Sequence, residues 1–181
     1  MNTPNKITVF RVCMIPIFLV FLLLPQIKYG PYIATAIFII AALSDALDGY
    51  LARKNNLITN FGQFMDPLAD KLLVSSALIA LVGLNRIPSW VVIVIIAREF
   101  IISGFRLIAS DNGIIIAASW WGKVKTNVQI IMCVMLILNL EYPIIITLEQ
   151  ITIYLALLLT IISLVDYIWK NRKALKEKDY K

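Results

Sequence analysis

Six apolar runs separated by short polar breaks leave this chain few folds to choose from. A transmembrane helix needs about 20 mostly apolar residues. Candidates run over Val12–Pro25, extended backwards by the amphipathic Ile7–Arg11, and over Tyr32–Leu43 with a polar-studded continuation to Ala52. The others are Leu68–Leu84, Trp90–Leu107, Val128–Leu140 with a polar approach from Trp120, and Ile144–Trp169. Phe21-Leu22-Leu23-Leu24-Pro25 is too bulky for a leader-peptide cleavage site, so the first run reads as a retained span. Hydrophobic residues make up 60% of the 181, against roughly 45–50% in soluble domains, and the excess needs lipid as its solvent. The pattern predicts an all-α integral-membrane protein with six transmembrane helices preceded by a short amphipathic N-terminal helix. It forms a single membrane domain over residues 1–181, ending in a basic tail over 170–181.

Orientation follows the placement of Lys and Arg. With the N-terminus cytoplasmic, 15 of the 17 basic residues fall on the inner side, and only Lys28 and Arg86 fall outside. An even number of crossings then puts both termini in the cytoplasm, in a multi-pass protein of the plasma membrane. The tail from Lys170 to Lys181 reads as an anchor on anionic headgroups and calls for no nucleic-acid partner. Trp120, Trp121, Tyr167 and Trp169 fall at span ends, where interfacial anchoring explains them. The chain has no histidine, which excludes a His-based triad and any His-ligated metal. Acid–base chemistry is left to carboxylate, Lys, Tyr or Cys. Cys13 and Cys133 lie in apolar runs and read as buried small hydrophobes rather than a disulfide or a nucleophile.

Ionisable groups inside a membrane helix are costly and point to function. Four of the 11 acids fall close together. Asp45 and Asp48 stand at i and i+3, one turn apart on one helical face, and Asp66 and Asp70 stand at i and i+4. Four carboxylates near one end of a membrane protein repel strongly in a low dielectric, and a divalent cation removes the conflict. Oxygen ligands without His or Cys suit Mg²⁺, Mn²⁺ or Ca²⁺, and Mg²⁺ leaves positions open for phosphate oxygens. Gly49, Ala52 and Gly62 would let a ligand or a neighbouring helix approach closely. The simpler reading is a set of ion pairs, Asp45 or Asp48 with Arg53 and Asp66 or Asp70 with Lys71, but four acids at this spacing with glycines between them exceed it.

Asp45, Asp48, Gly49, Ala52, Arg53, Gly62, Asp66 and Asp70 match without departure the pattern D-x2-D-G-x2-A-R-x8-G-x3-D-x3-D. In this the chain resembles the CDP-alcohol phosphatidyltransferases, and the resemblance extends over nearly its whole length. It implies a two-metal enzyme using Mg²⁺ or Mn²⁺, with Asp45, Asp48, Asp66 and Asp70 as metal ligands and Asp70 also as the general base. It further implies that Gly49, Ala52, Arg53 and Gly62 bind the CDP-activated lipid, CDP-diacylglycerol, and that the protein is a homodimer.

The remaining polar residues bear on the acceptor alcohol. Pro4-Asn5-Lys6-Ile7-Thr8-Val9-Phe10-Arg11 resembles the P-N-x-I/L-T-x-x-R opening of family members that act on sn-glycerol 3-phosphate, and also reads as a membrane-surface helix. Arg98, Arg106, Lys123 and Lys125 make a basic set suited to an acceptor that is itself a phosphate. The Ala97-Arg98-Glu99 and Gly122-Lys123-Val124-Lys125-Thr126 segments resemble those same members. Arg98 falls mid-span, where it should pair with Glu99 or substrate. Other acceptors stay open: an inositol phosphate, or phosphatidylglycerol to give cardiolipin. A divalent-cation transporter is the remote alternative, since it would spread its acids across the bilayer or repeat them.

Overall fold

A computed structural model describes the backbone of residues 3–55, 60–111 and 119–172, and the side chains of residues 8–44, 68, 69, 71–110 and 119–172. Six helices carry the described chain: α1 (Thr3–Leu23), α2 (Gly30–Asn55), α3 (Asn60–Gly83), α4 (Ser89–Asp111), α5 (Trp120–Leu138) and α6 (Pro143–Asn171). No strand occurs among the described residues. Two of the helices, α5 and α6, are long and apolar enough to cross a membrane. The amphipathic opening is not a separate helix. It runs without a break into the first apolar stretch as α1, because nothing between Lys6 and Phe10 disrupts helical backbone. Pro16 lies inside α1, where it removes one backbone donor, a loss that apolar helices accommodate through neighbouring contacts.

The chain forms two compact units. The first comprises residues 1–87 and 133–141 and contains α1, α2 and α3, which pack on one another. Its core follows from a single regularity, a buried position every three or four residues. On α1 the buried stripe is Thr8, Arg11, Ile15, Phe18 and Leu22. On α2 it is Ala34, Phe38 and Ala41, and on α3 Ala69, Leu73, Ala77 and Leu81. This spacing keeps one face of each helix inward. Phe18 and Phe38 meet at 5.8 Å between ring centroids, fixing α1 against α2. The connection between them is tight: Gly30 N–H donates to Ile27 C=O at 2.8 Å. A Cβ on Gly30 would lie 2.5 Å from the Phe21 carbonyl oxygen, so only glycine fits.

α3 ends with Asn85 in the left-handed conformation, φ 58°. Arg86 N–H then donates back to Leu81 C=O at 3.0 Å, closing the helix. The Arg86 side chain donates through Nη1 to the carbonyls of Leu136 and Ile137, at 2.9 and 3.0 Å, near the last turn of α5. A cation there satisfies terminal carbonyls and complements the helix dipole.

The second unit comprises residues 88–132 and 142–181, with α4 packed on α6. The α4 stripe is Val91, Ile95, Arg98, Ile102, Phe105 and Ala109, and the α6 stripe is Ile153, Ala156, Thr160, Ser163 and Tyr167. Thr160 and Ser163 donate to carbonyls of their own helix, at 2.6 and 3.0 Å, so their burial leaves neither hydroxyl proton unpaired. Outside the stripes the surfaces are apolar, with Leu43, Ile79, Ile93, Phe100, Leu107, Ile131, Ile144 and Val165 all exposed. That distribution suits a lipid surround rather than water.

Two sequence expectations change. Cys133 is buried, but Cys13 is exposed, because it lies opposite the inward positions Arg11 and Ile15 and presents its thiol to the apolar exterior. Tyr167 is no interfacial anchor: it is 1% exposed, whereas Trp169 is 68% exposed. Position 167 continues the inward stripe of α6, and position 169 does not.

Candidate active site

The backbones of α2 and α3 carry the acidic motif. Positions 45, 48 and 52 continue the three-and-four spacing of Ala34, Phe38 and Ala41 along α2. Positions 62, 66 and 70 lead into Leu73 and Ala77 on α3 in the same way. Both aspartate pairs therefore stand in register with the buried faces of two helices that pack against each other. The side chains of Asp45, Asp48, Gly49, Ala52, Arg53, Gly62, Asp66 and Asp70 lie outside the described residues.

α1 adds polar groups to this unit. Its stripe changes from apolar at Leu22, Phe18 and Ile15 to polar at Arg11 and Thr8, all of them buried. Arg11 Nε donates to Ser44 Oγ at 3.4 Å, and Ser44 Oγ donates to Ala41 C=O at 2.7 Å. The change of character thus falls at the start of the aspartate motif, since Ser44 immediately precedes Asp45. A basic residue before an apolar run reads in sequence as a topological signal. Only the phase of the spacing 8, 11, 15, 18, 22 distinguishes Arg11 as inward. The donor set of the motif is all carboxylate, which fits a hard divalent cation and suits neither zinc nor copper. Among the described residues no cluster of His, Cys, Asp and Glu could hold a metal ion.

In the second unit the predicted basic residues divide into two kinds. Arg98 is 7% exposed and Lys125 2% exposed. Both reach the same oxygen, Glu99 Oε1: Arg98 Nη1 donates at 3.0 Å, and Lys125 Nζ donates in a short ion pair. The pairing expected for a mid-span Arg98 is thus present, with Lys125 as a further member. Arg98 Nε has no hydrogen-bond partner among the described residues. Gly122 belongs to the same arrangement. A Cβ there would come within 3.5 Å of Arg98 Nη2 and 3.3 Å of Ser119 Oγ. Ser119 Oγ accepts from Gly122 N–H at 3.1 Å, capping the start of α5. Lys123 and Arg106, in contrast, are exposed. Arg106 lies eight residues beyond Arg98 on α4, about 12 Å along the helix axis. It donates through Nε to Tyr167 OH at 3.2 Å.

Comparison with known proteins bears on the whole chain. The sequence model of the CDP-alcohol phosphatidyltransferase family matches residues 1–162, through both units. The chain is 46% identical to the CDP-diacylglycerol–glycerol-3-phosphate 3-phosphatidyltransferase of Bacillus subtilis, covering 97% of each. It is 42% identical to the protein of that name from Haemophilus influenzae, covering 92% of this chain and 91% of the relative. Identity to the probable phosphatidylglycerophosphate synthase of Mycobacterium tuberculosis is 39%, over 92% of this chain and 80% of the relative.

Proposed function

This chain belongs to the CDP-alcohol phosphatidyltransferase family, and from that membership we propose that it transfers the phosphatidyl group of CDP-diacylglycerol to sn-glycerol 3-phosphate. The products are phosphatidylglycerophosphate and CMP. The family is one of membrane enzymes and is generally divalent-metal dependent.

In the reaction a hydroxyl oxygen of the acceptor attacks the phosphorus that bears the diacylglycerol. An O–P ester bond forms, the pyrophosphate P–O bond breaks, and CMP departs with the electron pair. Asp70 takes the hydroxyl proton, an aspartate filling the role that the absent histidine cannot. Asp45, Asp48, Asp66 and Asp70 would hold Mg²⁺ or Mn²⁺, as two ions, which when bound neutralise charge developing on the transferred phosphoryl group. Gly49, Ala52, Arg53 and Gly62 bind the CDP moiety. Arg98, Arg106, Lys123 and Lys125 bind the phosphate of the acceptor.

One observation carries the assignment of the acids. Both aspartate pairs stand in the register of buried helix faces, positions where ionisable groups are costly and point to function. Apolar outer faces and the one-sided distribution of Lys and Arg support six spans, with both termini and the site cytoplasmic in the plasma membrane. The same apolar faces are compatible with a homodimer, and residues 1–181 act as one catalytic domain.

The test is purified protein supplied with CDP-diacylglycerol, Mg²⁺ and each acceptor in turn, following CMP release. Release with sn-glycerol 3-phosphate, and little with an inositol phosphate or phosphatidylglycerol, is the expected result. Release with an inositol phosphate but not with sn-glycerol 3-phosphate overturns the choice of acceptor.

A further inference from the structure

The two arginines of α4 are treated differently by their surroundings. Arg98 is charge-paired with Glu99. Arg106 is held by a neutral hydroxyl, Tyr167 OH, although a carboxylate, Asp166, is the preceding residue on α6. Asp166 is engaged instead by Lys170 at 2.7 Å. The guanidinium of Arg106 also lies over the Tyr167 ring, 5.6 Å from its centroid, a favourable arrangement for a cation and an aromatic face. Tyr167 is itself fixed. It is buried, it packs edge-on against Phe105 at 5.6 Å and 82°, and Leu164 joins the same cluster.

Two consequences follow for Arg106. Its Nε is occupied and its orientation set, while no carboxylate among the described residues compensates its charge. Its terminal nitrogens carry no hydrogen bond to the described residues, and the side chain is exposed. A guanidinium so held presents a two-nitrogen fork to an oxyanion, with less rotamer freedom left to lose on binding. A carboxylate partner in place of the phenol would hold the group equally well but would compete with a phosphate for its charge.

We infer that Tyr167 is a positioning residue which aims Arg106 at the phosphate of the acceptor without neutralising it. This rests on the assignment of Arg106 to the acceptor phosphate made above. Tyr167 lies beyond the family match, which ends at residue 162, and an aromatic at a helix end carries no sign of the role in sequence.

The experiment compares Tyr167→Phe, Arg106→Gln and the double variant by steady-state CMP release, varying sn-glycerol 3-phosphate and CDP-diacylglycerol separately. Tyr167→Phe keeps the ring, the contact with Phe105 and the packing, and removes only the hydroxyl. It is expected to raise the KM for sn-glycerol 3-phosphate roughly tenfold or more, the lower end of the range for losing one hydrogen bond to a charged group. Both kcat and the KM for CDP-diacylglycerol should stay within about twofold of the unsubstituted enzyme, since neither depends on the phosphate being gripped before chemistry. Arg106→Gln should raise the acceptor KM further, and adding Tyr167→Phe to it should change nothing more, because the hydroxyl then has no guanidinium to hold. If Arg106→Gln raises the acceptor KM and Tyr167→Phe does not, the positioning role is wrong while the acceptor assignment stands. If Arg106→Gln leaves the acceptor KM unchanged, the acceptor assignment fails and takes the inference with it. Equal deterioration of both KM values and kcat in Tyr167→Phe marks a structural role only and overturns the proposal.

Discussion

Glu99 stands between two buried cations, and that makes it the residue whose loss the second unit should tolerate least. Glu99→Gln removes the carboxylate that both Arg98 and Lys125 contact, and breaking a buried pair in this way costs about 3–5 kcal/mol. Thermal unfolding in detergent should show the loss, and an unchanged midpoint would contradict the pairing. Asp70 is expected to behave in the opposite way. Asp70→Asn should lower turnover by about 10²-fold or more, the usual contribution of a positioned base, with little change in unfolding midpoint. Normal CMP release by that variant would remove Asp70 from the mechanism. How far such roles can be read from sequence differs residue by residue. The aspartates are legible because eight positions at set spacing carry them. The Glu99–Lys125 pair spans 26 residues and leaves no local pattern. Tyr167 and Trp169 look alike at the end of an apolar run, and only helical phase separates the buried one from the exposed one.

The helices themselves were largely legible, since each of the six apolar runs lies in its own helix, but the runs ending at Pro25, Leu84 and Leu140 overshoot their helices by one or two residues, and α3 begins at Asn60, well before the expected Leu68. Two features were not. The N-terminal segment reads as amphipathic when taken alone, yet in α1 its polar positions Thr8 and Arg11 share the inward stripe with Ile15, Phe18 and Leu22. The connection between α1 and α2 gives no warning in sequence that Gly30 is sterically required. A comparison of glycines tests this directly. Gly30→Ala places a Cβ against the Phe21 carbonyl and should destabilise by about 1–3 kcal/mol, as overpacking does. Gly104→Ala, at a helical position with nothing within 4 Å of the added Cβ, should instead be neutral or stabilise by about 0.5–1 kcal/mol. Unfolding midpoints that move together for the two variants would refute the close approach at Gly30.

For the whole molecule, the distribution of basic residues predicts that the Arg86 loop and the Lys170–Lys181 tail lie on opposite sides of the membrane. In intact cells, with the existing cysteines removed, a cysteine placed at Asn85 should react with an impermeant maleimide. One placed at Ala174 should react only after permeabilisation, and the reverse pattern would invert the orientation. The chemistry proposed for the assembled protein rests on a defined exchange, one CMP released for each acceptor joined to lipid. The decisive measurement is the product stoichiometry of the purified, reconstituted protein given CDP-diacylglycerol, Mg²⁺ and labelled sn-glycerol 3-phosphate. Phosphatidylglycerophosphate and CMP should appear in equal amounts, and neither should form when sn-glycerol 3-phosphate is omitted. CMP release without transfer of label into lipid, or transfer to a different acceptor in its place, would contradict the account.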